Sequence, residues 1–224
     1  MNTKRGLTIR MITVLAMLSA IAFVLASLIR IPLVPAVPFL GYEPKDVILV
    51  IAGFIYGPLA PLAMAAVIAL LEGFTTSVMG PIGIPMNFIA SAAFGCTASF
   101  IYSKRRRVSG AVIGLAVAVI VTTIVMLLWN YAITPILLGL PRPVVESMLI
   151  PGFLPFNLIK GALNAAIAML LYKPIRKALN KSKLLPVVPS TAVRSSKVSV
   201  GIVLVSAFVI ITCAVVVLSW QRVI

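Results

Sequence analysis

Asn157, Lys160 and Asn164 are polar residues inside an otherwise apolar run that begins Pro155-Phe156-Asn157-Leu158-Ile159-Lys160-Gly161-Ala162. Steps of three and four place them on one face of a helix. Amides that both donate and accept, beside one ammonium, suit hydrogen bonding to a flat, partly polar small molecule. The bland alternative is that Lys160 snorkels to lipid headgroups, but snorkelling needs no flanking amides. Hydrolysis does not fit, because no nucleophile–base pair and no paired carboxylates are evident. The sequence has no His, and Cys96 and Cys213 lie far apart in separate apolar stretches. No metal site, disulfide framework or His-dependent mechanism is therefore expected. The expectation is a binding protein, not an enzyme.

The elements that position these residues must sit in a membrane. Of 224 residues 62% are hydrophobic and 10% charged, with a mean hydropathy of +1.19, which is far more apolar surface than a water-facing fold can hide. Spans, marked on a guide length of about 20 predominantly apolar residues, fall at about 7–29, 45–57, 58–79, 84–103, 109–138, 153–179 and 198–219, the second of them short. The second and third are divided by Tyr56-Gly57-Pro58, where a Gly-Pro pair permits a tight reversal. The fifth is longer than the bilayer is thick and must tilt or project before Pro135 and Pro141 end it. The first is longer than a signal-peptide core and lacks a clear cleavage site, so it is kept as a span.

With the N-terminus inside, 14 of the 19 Lys and Arg residues are cytoplasmic and four are external, Arg30, Lys45, Arg142 and Arg222, while Lys160 lies within a span. That asymmetry follows the positive-inside rule, so the formal charge of +15 reads as a topology signal and not as a nucleic-acid footprint. Glu43, Asp46 and Glu146 then fall on outer loops. Residues 184–197, with Pro186 and Pro189, read as a cytoplasmic linker. The run 198–219 carries no charge and reads as a lipid-facing anchor that adds little to a pocket. The expected architecture is an all-α integral membrane protein: a six-helix bundle over 1–183, the linker, one additional C-terminal helix, and an external C-terminus.

Depth gathers the polar residues. Well inside the spans stand two charges, Lys160 and Glu72, and a rise of ~1.5 Å per residue puts Glu72 about 21 Å up the third span and Asn130 about 31 Å along the tilted fifth. Asn157 and Lys160 open the sixth span, and Asn87 the fourth, at the same outer side, so four helices converge on one outward-facing site. Above it, the loop from Arg30 to Asp46 holds four prolines with Phe39, Leu40 and Tyr42 between them. Such a loop either caps a ligand or anchors at the interface. In the first span Ala16 and Ala20 have a small-xxx-small spacing that lets another helix approach closely, whether a partner's or an internal neighbour.

These segments resemble the substrate-binding S component of energy-coupling factor vitamin importers, specifically the riboflavin type. The resemblance covers about residues 7–180. It rests on Ala16-Met17-Leu18-Ser19-Ala20-Ile21-Ala22-Phe23-Val24-Leu25, Tyr42-Glu43-Pro44-Lys45-Asp46-Val47, Phe54-Ile55-Tyr56-Gly57-Pro58 and Gly80-Pro81-Ile82-Gly83 with Asn87-Phe88. Most specific are Trp129-Asn130-Tyr131 and Gly152-Phe153-Leu154-Pro155-Phe156-Asn157-Leu158-Ile159-Lys160-Gly161. The resemblance implies that Asn130, Asn157 and Lys160 hydrogen-bond a flavin ring, that the first outer loop is a lid, and that Ala16 and Ala20 dock on an energy-coupling transmembrane subunit driven by two cytoplasmic ATPases. The chain has no Gly-x-x-x-x-Gly-Lys-Ser/Thr phosphate loop of its own. Riboflavin is implied as cargo, with no cofactor and no chemistry performed on it. The alternatives are an S component for another vitamin or a flavin nucleotide, and a membrane scaffold whose polar residues only pack helices. The seventh span departs from the family's six helices.

Overall fold

The computed structural model describes residues 9–77, 80–181 and 200–221; the expected linker at 184–197 lies outside the described residues. The long elements are helical: α1 (Ile9–Leu28), α2 (Lys45–Tyr56), α3 (Leu59–Thr75), α4 (Ile84–Lys104), α5 (Val108–Ala132), α6 (Thr134–Leu138), α7 (Arg142–Met148), α8 (Leu154–Lys181) and α9 (Val200–Trp220). A two-strand ladder, β1 (Ile31–Pro32) with β2 (Gly41–Tyr42), closes the loop between α1 and α2. Among the described residues, five helical stretches are long and apolar enough to cross a membrane: α1, 80–104, α5, 142–172 and 201–220. Their outward faces carry exposed Ile21, Ile120, Leu128 and Phe208, a surface that suits lipid. The protein is an all-helical, multi-pass membrane protein.

Among the expected spans, α2 stands apart. Twelve residues at a rise of ~1.5 Å reach only about 18 Å, against a hydrocarbon core of about 30 Å. It meets lipid nowhere along its first ten residues, all of which are buried, and it packs against α1, α3, α4 and α8. Its C-terminal end rests on an aromatic group in which Phe54 lies 4.4 Å from the Tyr102 ring and 5.6 Å from the Tyr172 ring, centroid to centroid. The reversal into α3 is the expected Gly-Pro turn. Gly57 has φ +101° and accepts that conformation because it lacks a Cβ.

Small residues set the close approach of α4 and α5. A Cβ on Gly114 would stand 2.7 Å from the backbone oxygen of Ala98, so the two helices touch backbone to side-chain-free backbone. The fifth apolar run divides as its prolines require: α5 stops at Ala132, and α6 follows with Pro135 in its first turn. The sixth begins earlier than the apolar run indicates. Helix is continuous from Arg142, through a wide π turn at Leu149–Phe153, into α8.

The last helix, expected as a lipid-facing anchor, also docks on the bundle. Most of α9 is exposed, but Ser206 and Val217 are buried, and the helix packs along α8. A hydropathy profile shows that a helix can face lipid; it does not show which narrow seam docks.

If the α4–α5 approach limits packing, Gly114→Leu is expected to destabilise the bundle by about 1–3 kcal/mol or more, the usual penalty for overpacking. A lowered thermal midpoint in detergent checks this, and an unchanged midpoint would show that the helices can separate freely.

Candidate ligand-binding site

Asn130 sits in the last turns of α5 and Asn157 in the first turn of α8. Both use an amide N–H to satisfy the helix that carries them: Asn130 Nδ2 donates to the Met126 carbonyl at 2.6 Å, and Asn157 Nδ2 to the Phe153 carbonyl at 2.8 Å. Thr134 Oγ1 donates to Asn130 Oδ1 at 2.8 Å, which fixes that amide further. The π turn before Asn157 contains Pro151 and Gly152. A π turn shifts the helical register, a geometry frequent at functional sites.

Between these helices and the loop 29–44 lies a cleft whose empty space, open mouth included, is about 550 Å³. Its apolar walls come from Phe39, Leu40, Met86, Ala90, Met126 and Phe156; its polar groups are Asn87, Asn130, Asn157, Lys160, Ser77, Arg30 and Glu43. A smaller recess of about 270 Å³ shares Ala90, Asn157 and Lys160 with the cleft and adds Asp46, Thr122 and Asn164. Thr122 Oγ1 and Asn164 Oδ1 are buried without a hydrogen-bond partner among the described residues.

The loop over the cleft is tied down by its own apolar residues. Leu33, Val34, Val37, Leu40 and Tyr42 join Val145, Phe153 and Phe156 in one buried cluster, and the Phe39 ring meets Phe153 edge-on at 6.1 Å. The cleft thus has a packed lid. Tyr42 belongs to that packing and not to the cleft lining; its hydroxyl is buried without a partner, and burial, with the Asp46 carboxylate nearby, pushes the phenol above its ordinary pKa.

Charge is buried around the start of α2. Lys45 Nζ bonds Glu43 Oε2 at 2.8 Å and also Glu72 Oε2. Arg30 reaches the other Glu43 oxygen at 3.2 Å, and Asn87 Nδ2 lies 3.5 Å from Glu72 Oε2. Burial alone would raise the Glu43 pKa, but Lys45, Lys160 and Arg30 together hold it below the ordinary carboxylate value. One residue on, Asp46 faces the other way. It accepts from Ser91 Oγ at 2.6 Å and Asn164 Nδ2 at 3.3 Å and stands 3.8 Å from Lys160 Nζ.

Of the residues singled out in the sequence, Asn87, Asn130, Asn157, Lys160, Phe39 and Leu40 meet in the cleft, and Asn164 lies in the adjoining recess. Glu72 stands behind the wall and supports Lys45 and Asn87. Ala16 and Ala20 are exposed on α1, while Ala22 and Ala26 are buried, so the first pair faces away from the bundle. Glu43 and Asp46, expected on outer loops, and Lys45, expected outside, are instead buried, only 6%, 3% and 2% exposed. The missed signal was the length of α2: twelve residues do not cross the hydrocarbon core, so the charges that open it need not lie at the membrane surface.

Replacing Lys45 by Met would leave Glu43 and Glu72 without their shared cation, and breaking a buried ion pair from one side costs about 3–5 kcal/mol. The triple variant Lys45→Met, Glu43→Gln, Glu72→Gln is expected to recover much of that loss. Thermal melts of the two proteins check it; equal destabilisation would mean the charges are solvated.

The family model described as "ECF transporter, substrate-specific component" matches residues 10–172. A riboflavin transporter named RibU from Staphylococcus aureus (strain TCH60) is 35% identical over 191 residues, covering 81% of this chain and 100% of that protein. The riboflavin transporter FmnP of Bacillus subtilis (strain 168) is 29% identical over 188 residues, covering 78% of this chain and 96% of that one. A solved structure, described as "Structure and mechanism of the S component of a bacterial ECF transporter", superposes with a TM-score of 0.65 at 36% identity over 76% of this chain and 97% of its own. Both the cleft and its lid lie within the matched residues. The chain belongs to the family of substrate-specific components of ECF transporters.

Proposed function

We propose that this chain is the riboflavin-binding subunit of an ATP-driven importer, holding the vitamin in the cleft beneath the 29–44 lid. One observation carries the reading: the cleft sets two helix-anchored amides and one ammonium, Asn130, Asn157 and Lys160, against apolar and aromatic walls. The isoalloxazine ring of riboflavin is flat, with an imide edge of carbonyls and an N–H and an apolar methylated edge. Amides match the imide edge, and Lys160 donates to a carbonyl or ring nitrogen. Phe39, Leu40, Met126 and Phe156 cover the ring faces, and Arg30, Glu43 and Ser77 meet the ribityl hydroxyls toward the mouth.

Electrostatics favours riboflavin over its phosphate ester. Around the cleft three cations, Arg30, Lys45 and Lys160, are each paired with carboxylates, Glu43, Glu72 and Asp46. A phosphate dianion finds no unpaired cation among the described lining residues, and leaving it so costs more than the neutral vitamin does.

Capture needs no bond chemistry, so the chain is a carrier subunit and not an enzyme, and riboflavin is cargo and not a cofactor. Residues 1–183 form the binding bundle, 184–197 a cytoplasmic tether and 198–219 an added span, with the N-terminus inside and the C-terminus outside. The similar proteins named riboflavin transporters support the ligand. The family supports a coupling transmembrane subunit and ATPases as partners, and the exposed Ala16 and Ala20 face is where that subunit docks.

Two measurements test this. Asn157→Leu and Lys160→Leu are each expected to weaken riboflavin binding by about 1–3 kcal/mol, the cost of an unpaired buried polar group, as read by quenching of flavin fluorescence; unchanged affinity in both would remove the cleft assignment. Ala20→Trp is expected to abolish uptake into cells while purified protein still quenches riboflavin, because a bulky ring holds a partner helix off. Loss of binding together with uptake in folded protein would place Ala20 inside the bundle's function.

A further inference from the structure

The matched family residues end at 172, so α9 is an addition to the shared framework. Its contact with the rest of the protein is a single seam. Ile202, Ser206, Val209, Cys213 and Val217, at steps of four, three, four and four, are buried or half-buried, whereas Leu204, Phe208 and Ile211 are exposed. That spacing is the narrow stripe of a helix docked on one neighbour, here α8.

At its C-terminal end the seam runs past α8 onto the lid. Val217 is 7% exposed and shares one buried cluster with the lid residues Leu33, Val34, Val37, Leu40 and Tyr42 and with Val145, Phe153 and Phe156. One turn further, Gln221 Nε2 donates to the Pro32 carbonyl at 2.6 Å. Pro32 is the last residue of β1, so this bond ties α9 to the strand that begins the lid. The lid's own ladder is minimal, two residues paired with two, and a pair of strands that short has little stability alone. Side-chain packing has to hold the closed form.

We propose that α9 is a strap on the lid, and that Val217 and Gln221 are positioning residues that slow release of a ligand they do not touch. This rests on the cleft being the riboflavin site. The ligand leaves only when the lid lifts, and lifting it breaks the Val217 and Gln221 contacts. Those contacts therefore act on the dissociation rate.

The test uses the full chain and stopped-flow flavin fluorescence. In Val217→Ala, Gln221→Ala, dissociation of riboflavin is expected to quicken about tenfold with association changed less than about twofold, since differences within one interface reside mostly in the off-rate. The thermal midpoint without ligand should move little, because α9 still packs on α8. A second variant, Pro32→Cys, Gln221→Cys in a chain whose Cys96 and Cys213 are alanine, is bridged by a short bis-methanethiosulfonate. Bridging is expected to trap bound riboflavin and to close the empty protein to it, both reversed by dithiothreitol. Failure to bridge, or quenching with unchanged release in both proteins, overturns the strap alone. No quenching in the unaltered chain overturns the riboflavin assignment and the strap with it.

Discussion

A charge inside a membrane protein must find a partner, because neither lipid nor an apolar core solvates it. Lys45 and Asp46 open a helix whose N-terminus begins inside the bundle, and their neighbouring positions turn them to different sides. Lys45 gathers Glu43 and Glu72, and Asp46 gathers Ser91, Asn164 and Lys160. Two consecutive residues thus tie α2 to α3, α4, α8 and the lid. Asp46 also benefits from the positive end of its own helix, whereas Lys45 opposes it, so Lys45 is held by two carboxylates. Such pairs add little net stability against an apolar alternative. What they give is position: Lys160 reaches the cleft from a fixed anchor, and its ammonium lies 6.0 Å from the Phe156 ring centre.

Periodicity made part of this site legible. Asn157, Lys160 and Asn164 share a helical face, and that holds whatever the helix packs against. Counting residues along a span also brought Asn87 and Asn130 to the same depth as Asn157, because a helix rises by a constant step. The prolines between Arg30 and Asp46 marked a stiff loop, and Phe39 and Leu40 do line the cleft. Tyr42 was of the right type at the right place in the loop, yet its strand pairing turns it into the apolar cluster instead. Facing is set by pairing register, which a two-residue ladder does not announce in the sequence.

The buried charges were illegible for a different reason. A hydropathy profile assigns Glu43, Lys45 and Asp46 to water because they adjoin a proline-rich loop. Their burial comes from tertiary structure: α2 is short, other helices surround it, and the lid descends to meet it. The same limit applies to α9, where a uniformly apolar sequence is compatible with any rotation about the helix axis. Ser206 and Val217 are buried on a helix that packs along α8, and Val217 shares a cluster with lid residues, yet no residue type in the run singles them out.

The path from the cleft to the proposed docking face is short and covalent. Arg30, which lines the cleft and pairs with Glu43, follows the end of α1 by two residues. Ala20 lies eight residues before Leu28, the last residue of that helix, a separation of about 12 Å at ~1.5 Å per residue. Val14, Leu18 and Ala22 of α1 pack in the same buried cluster as Ile48, Leu49 and Ala52 of α2. The lid therefore joins two helices that are already packed together, and one of them carries Ala16 and Ala20 on its outer side.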